Sequence, residues 1–186
     1  MARSLVWFRR DLRILDNTAL SRGCAAADDG VIGVFLLTPG QWGGHGDAAC
    51  KVDFWLRNLR DLSDALLRKN IPLILVACDT SDDCPAAILK LALEHSCDTV
   101  YVNREYEVNE RQRDRDTQKL LADHQLGFRS FHDRGVIPPR EIQTKEGRFY
   151  SVYTPYRRVW DSLVSEHLQG HDAPKKQADL GIRASR

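Results

Sequence analysis

Val6-Trp7-Phe8-Arg9-Arg10-Asp11-Leu12-Arg13, followed by Asp16-Asn17 and a helical run, decides how this chain begins to fold. The apolar run that starts at Leu5 reads as a buried strand, and it gives way to a loop rich in arginine and aspartate. The side chain of Asn17 can then cap a helix by accepting backbone N–H bonds. A strand, a charged loop and a capped helix open an α/β sheet and gather polar groups at the strand's C-terminal edge. That edge is where open α/β sheets bind ligands.

The same alternation continues outward. Strands are predicted at Leu5–Arg9, Val31–Leu37, Leu73–Cys78, Thr99–Asn103 and Gly127–Phe131, nearly all continuous apolar runs, as expected when helices cover both faces. Helices are predicted at Thr18–Ala27, about Ala48–Lys69, Asp82–His95 and Glu110–His124. Trp55, Leu59, Leu62 and Leu66 recur at helical spacing and share one face. Residues 1–131 therefore read as an α/β, Rossmann-like domain, a five-stranded parallel sheet with helices on both faces. From residue 132 to 186 the character is that of a linker. Val136-Ile137-Pro138-Pro139 can continue neither a helix nor a central strand. Phe149–Tyr156 is aromatic and extended, Pro155 starts a helix over about 155–168, and the remainder is polar.

Composition narrows the class. Hydrophobic content of 42%, charge of 28% and a net charge of +1 describe an ordinary soluble domain, with no support for nucleic acid or membrane in the total balance. From Phe128 onward, Lys and Arg number eleven against seven Asp and Glu, a mild local excess. The five cysteines are never spaced as CxxC, which argues for a reducing compartment without disulfides or zinc. No apolar run is long enough for a signal peptide core or a bilayer span, so the expected location is the cytoplasm.

Walker, GxGxxG, GxSxG and HExxH motifs are missing from the sequence, and His167 with His171 lacks the further donors of a metal site. Three constellations remain. After the fourth strand, Tyr106-Glu107-Val108-Asn109-Glu110-Arg111-Gln112-Arg113-Asp114 places Asn109 as an N-cap and Glu110 in the first helical turn. A carboxylate there can accept paired N–H bonds from a flat heterocycle with an amino group. It can equally be a solvated group favoured by the positive helix end. After the second strand, Thr38-Pro39-Gly40-Gln41-Trp42-Gly43-Gly44-His45 offers an aromatic and a histidine on a flexible loop, a stacking wall or simple surface packing. Phe149 to Trp160 carries an aromatic stripe with Arg157 and Arg158, suited to cover by another domain with its arginines solvated.

Together these segments resemble the DNA photolyase/cryptochrome family. WFRRDLRxxDNxAL follows the family's opening motif. TPGQW, YEVNERxRD, the VIPP turn and YxVYTPYRRVW follow in the family's order and at about its spacings, from residue 3 to about 180. The resemblance is to the N-terminal antenna domain of the class I type, which repairs cyclobutane pyrimidine dimers. It implies an accessory light-harvesting chromophore that passes excitation energy to FAD in a larger helical domain. The YEVNER wording resembles the folate-antenna branch. There a methenyltetrahydrofolate is held partly by the Asn-Glu pair, here Asn109 and Glu110, with His45 as a third cofactor-binding candidate and Trp42 as a wall. The implied partners are the helical flavin domain of the same protein and damaged DNA. The flavin pocket, the electron-transfer tryptophans and the dimer cavity belong to the helical domain. Hence no catalytic or metal-binding residue is assigned in this chain, which is expected to be inactive alone with weak folate affinity. Trp7, Trp42, Trp55 and Trp160 are not that electron chain. Two alternatives share the fold: a cryptochrome-like photoreceptor module, and a free-standing folate- or nucleotide-binding protein whose C-terminal segment folds back over the sheet edge.

Overall fold

A computed structural model describes residues 2–168 and 170–185. Five strands, β1 (Ser4–Phe8), β2 (Val31–Leu37), β3 (Leu73–Ala77), β4 (Thr99–Asn103) and β5 (Gly127–Phe131), form one parallel sheet in the order β3-β2-β1-β4-β5. The helices are α1 (Thr18–Ala26), α2 (Pro39–Gly44), α3 (Ala49–Leu67), α4 (Cys84–Glu94), α5 (Val108–Asp123) and α6 (Tyr153–His167). This is the Rossmann-like arrangement that the sequence predicts.

The strands are apolar on both faces because helices cover both. In β1, Leu5 and Trp7 join the core under α4 and α5, while Val6 and Phe8 join the core under α1 and α3. Leu59, Leu62 and Leu66 of α3 are buried in that second core, worth about 2 kcal/mol each as an upper estimate. Gly23 lets α1 lie close to the sheet, since a Cβ there stands 2.9 Å from Val6 Cγ2.

From β1 the chain winds outward to β2 and β3, then returns to place β4 beside β1. The crevice at the carboxyl ends of β1 and β4 is thus the topological switch point. A buried polar knot shapes it. Asp11 Oδ1 accepts the Arg9 N–H at 2.8 Å, turning the chain out of β1 one residue earlier than predicted. Asn17 caps α1, its Oδ1 accepting from Leu20 N at 3.0 Å and from Asn103 Nδ2 at 2.9 Å. Asn103 Oδ1 accepts from Ala19 N at 2.9 Å, so the end of β4 is tied to the start of α1. Asp133, just past β5, accepts from Thr18 N, Thr18 Oγ1 and Arg13 Nη2 at 3.0, 2.7 and 2.6 Å. The charged residues of the opening motif are therefore spoken for by the fold as much as by a ligand.

α6 begins at Tyr153 rather than Pro155, because the first helical N–H groups need no intrahelical partner and proline is tolerated among them. None of its residues is buried. Phe149, Val152, Tyr153 and Tyr156 are exposed, as are Arg157 and Arg158.

Residues 170–185 have no regular structure, yet they dock on the body. His171 O accepts from Asp16 N at 2.7 Å and Gln177 N donates to Lys69 O at 2.9 Å. Leu180 lies against Gly30 and joins the α4/α5 core. Ser185 N donates to Leu73 O at 2.9 Å, and Ser185 Oγ accepts from Leu75 N at 2.9 Å. These bonds use backbone groups on the open side of β3, the edge strand, and so cover a surface that otherwise invites pairing with another chain.

Candidate ligand-binding cleft

A cleft opens at the carboxyl ends of β1 and β2, between the N-terminal ends of α3 and α5 and the short α2. Its floor is Trp7, 1% exposed, with the guanidinium of Arg9 at 5.0 Å and that of Arg113 at 4.7 Å from the ring centroid. Such cation–π contacts strengthen when desolvated.

Glu105, 5% exposed, sits between these cations. Its Oε2 is 2.9 Å from Arg113 Nη2 and 4.0 Å from Arg9 Nε, and its Oε1 is 3.5 Å from Arg10 Nε. Asp114 Oδ1 accepts from Arg9 Nη1 at 3.0 Å and from Arg113 Nη2 at 2.9 Å, and Arg9 Nη2 also donates to the Asn103 carbonyl. Burial works against the charge on Arg113, but Asp114 and Glu105 more than offset it and raise its pKa. Sharing of carboxylates is what makes buried cations tolerable here.

Trp42 of α2 and Trp55 of α3 form an aromatic wall, with centroids 5.8 Å apart and planes tilted by 53°. Lys51 Nζ stands 4.7 Å from the Trp55 ring centroid. Trp55 continues the Leu59–Leu62–Leu66 stripe, so one helical face passes from core to cleft. The TPGQW segment is not an open loop: Pro39 occupies the first turn of α2, and His45 closes it, its N–H donating to Gln41 O at 2.9 Å. The His45 side chain is exposed at the cleft rim.

Glu110 occupies the first turn of α5, where the positive helix end favours its charge. Its side chain is only 12% exposed and faces the cleft, and among the described residues its carboxylate makes no hydrogen bond. The nearest cation, Arg10 Nη2, is 3.6 Å away. Asn109 lies elsewhere: it is exposed and lines a separate recess with Ser81, Asp82 and Gln112. Consecutive helical residues point about 100° apart, which turns Asn109 toward this recess and Glu110 toward the cleft. Asn109 is not the N-cap either; α5 starts at Val108 and Glu107 occupies that position. The Glu107 carboxylate does not cap. It accepts from Arg10 Nη1 at 2.7 Å, from Arg134 Nη1 at 2.7 and 2.9 Å, and from Tyr106 N at 3.0 Å. The Arg134 guanidinium holds its carboxyl down at about 2.

The structure thus brings His45, Glu110 and Trp42 to one cleft and leaves Asn109 outside it. It adds Arg10, Glu105, Lys51 and Trp55, which sequence reasoning missed. The available signal was positional: Arg10 follows β1 and Glu105 follows β4, strands that the switch point sets side by side.

The family model described as DNA photolyase matches residues 4–177. The chain belongs to the DNA photolyase family. Among curated relatives of this photolyase-family chain, the deoxyribodipyrimidine photo-lyase of Vibrio cholerae is 36% identical over 170 residues, which cover 91% of the chain and 36% of the relative. That of Escherichia coli is 32% identical over 186 residues and 39% of its own length. The chain therefore spans less than two fifths of either relative. A class III photolyase from Agrobacterium tumefaciens superposes with a TM-score of 0.78 at 29% identity, over all of this chain and 37% of the other. A Synechocystis cryptochrome, at 19% identity and a TM-score of 0.81, shows the shared fold alone. Among the described residues, no group of His, Cys, Asp and Glu is arranged to hold a metal ion, and no helix is long and apolar enough to cross a membrane.

Proposed function

We propose that this chain is the antenna-binding part of a deoxyribodipyrimidine photo-lyase, and that its cleft holds a methenyltetrahydrofolate. The observation that carries the ligand is the Glu110 carboxylate, facing an aromatic-walled cleft without a hydrogen-bond partner among the described residues. A carboxylate so placed suits the amino group and ring N–H of a pterin, which form a paired donor edge. Trp42 and Trp55 supply flat apolar surface, His45 the rim, and Lys51 a cation for the glutamyl carboxylates. Bound there, the folate absorbs light and passes excitation energy onward.

Dimer cleavage, FAD and damaged DNA belong to the longer protein that the curated relatives represent, and the exposed stripe Phe149, Val152, Tyr153 and Tyr156 is assigned to its helical domain. Asn109 has no part in this assignment. Within the family, TPGQW and YEVNERxRD support the class I type; the Agrobacterium neighbour is the observation favouring class III. The free thiols Cys24, Cys50, Cys78, Cys84 and Cys97 suit a reducing cytoplasm.

A second reading, a free-standing folate- or nucleotide-binding protein, is favoured by the docking of the C-terminal segment, Gln177 on Lys69 and Ser185 on β3. Titration of the 186-residue chain with 5,10-methenyltetrahydrofolate separates the two. Weak saturable binding that tightens in a chain carrying the helical domain supports the antenna reading. Tight binding by the short chain alone supports the second, and no binding in either chain overturns the ligand assignment.

A further inference from the structure

Arg10 is the cation nearest Glu110, and it stops short of it. Its Nη1 donates to Glu107 Oε1 at 2.7 Å and its Nε faces Glu105 Oε1 at 3.5 Å, while Nη2 remains 3.6 Å from Glu110 Oε1. A guanidinium is a rigid planar fork. Nη1 alone is hydrogen-bonded, while Nε and Nη2 stand at ion-pair distance from Glu105 and Glu110, so the Nη1–Glu107 bond is what fixes the fork relative to Glu110.

The two carboxylates that flank Arg10 opposite Glu110 are themselves fixed. Glu105 is buried and accepts from Arg113 Nη2 at 2.9 Å. Glu107 is gripped by Arg134 and by the Tyr106 N–H. The arrangement has a chemical consequence for Glu110. Arg10 is near enough to compensate its negative field, yet too far to occupy its lone pairs.

We propose, resting on the folate reading of the cleft, that Glu107 is a positioning residue that holds Arg10 away from Glu110. It thereby reserves that carboxylate for a paired N–H donor edge. The clamp also sets specificity. A bare carboxylate rewards any cation, whereas one already balanced by a nearby guanidinium gains mainly from hydrogen-bond geometry, so a neutral amine–amide edge is preferred to an ammonium group.

The test is Glu107→Ala in the 186-residue chain, chosen because Glu107 is part-exposed and its loss leaves the core intact. Two readouts are taken: titration with 5,10-methenyltetrahydrofolate, and the Arg10–Glu110 distance in crystal structures of wild type and variant. Arg10 is expected to close onto Glu110 in Glu107→Ala and to weaken folate binding about tenfold. Glu107→Ala with Arg10→Ala is then expected to regain most of that affinity, which a merely structural role for Glu107 does not permit. An Arg10 that stays in place, or additive losses in the double variant, overturns the clamp. If wild type binds no folate, the ligand reading fails while the crystallographic distance still decides the clamp.

Discussion

Asn103 donates through Nδ2 to Asp11 Oδ2 at 2.7 Å, joining the last residue of β4 to the aspartate of the opening motif across the switch point. Asn103 is 5% exposed, and its amide also serves Asn17 Oδ1 and Ala19 N. Asn103→Ala leaves the Ala19 N–H without a partner and takes one donor each from Asp11 Oδ2 and Asn17 Oδ1, and is expected to cost about 1–3 kcal/mol. Urea unfolding of wild type and variant measures it, and a change under 0.5 kcal/mol removes the knot from the account of how the cleft is held.

Glu110→Ala separates binding from stability. The carboxylate has no hydrogen bond to lose in the free chain, only its favourable place at the helix end, so the melting temperature should fall by no more than about 4 °C. Loss of charge-assisted bonds to the ligand should weaken folate binding by about 10–100-fold. Asn109→Ala, directed at the separate recess, should leave the same titration within about twofold; equal losses in the two variants argue against the cleft assignment.

The Glu107 carboxyl gives the chain an acid-side signature. Its ordinary value is 4.5, and Arg134 lowers it in the fold to about 2. The stabilisation is therefore fully present above pH 4.5, falls as the pH drops toward 2, and is gone below. The stability difference between wild type and Glu107→Gln should be constant from pH 5 to 8 and shrink toward zero at pH 2. Solvent screening at a side chain 37% exposed keeps that difference small. A difference that instead grows on acidification contradicts the assigned pairing.

Burial pushes the thiols of Cys24, Cys84 and Cys97 up to about 12 and raises that of Cys78, whereas Cys50 is exposed. At pH 8 a thiol-specific disulfide reagent should label Cys50 quickly, the half-buried Cys24 more slowly, and Cys78, Cys84 and Cys97 only after unfolding. Fast labelling of any of these three in the native chain means that the core under α4 and α5 opens locally.

Gly30 has φ +93, and a Cβ placed there stands 2.8 Å from Leu180 Cδ2. Gly30→Ala should destabilise by about 1–3 kcal/mol and loosen the docked C-terminal segment. Hydrogen exchange at the Leu75 amide, which is bonded to Ser185 Oγ, reports the loosening directly.

The sheet was legible in the sequence because burial on both faces leaves uninterrupted apolar runs, and its boundaries differ from expectation by a residue where a side chain intervenes, as Asp11 does at Arg9. The TPGQW segment looked like a loop because its glycines hide a helix of six residues. Glu105 and Arg10 were illegible as a pair. Each sits in a charged stretch that reads as solvated, and only the return of β4 to the side of β1 makes them neighbours. Asn109 and Glu110 are adjacent in sequence, but the helix turns Glu110 toward the cleft and Asn109 toward a separate recess. The docked segment after α6 has a linker's composition, and only Leu180 and Ile182 hint at contact with the core.

That segment also imposes a schedule. β3 is complete at Ala77, whereas the residue that bonds to its open side, Ser185, lies more than a hundred positions later. At about 5–20 residues per second, synthesis leaves that edge bare for roughly 5–20 s on every ribosome. During that interval the nascent sheet is a target for strand pairing between neighbouring chains on one messenger. Slower synthesis across residues 78–185 lengthens that exposure in proportion.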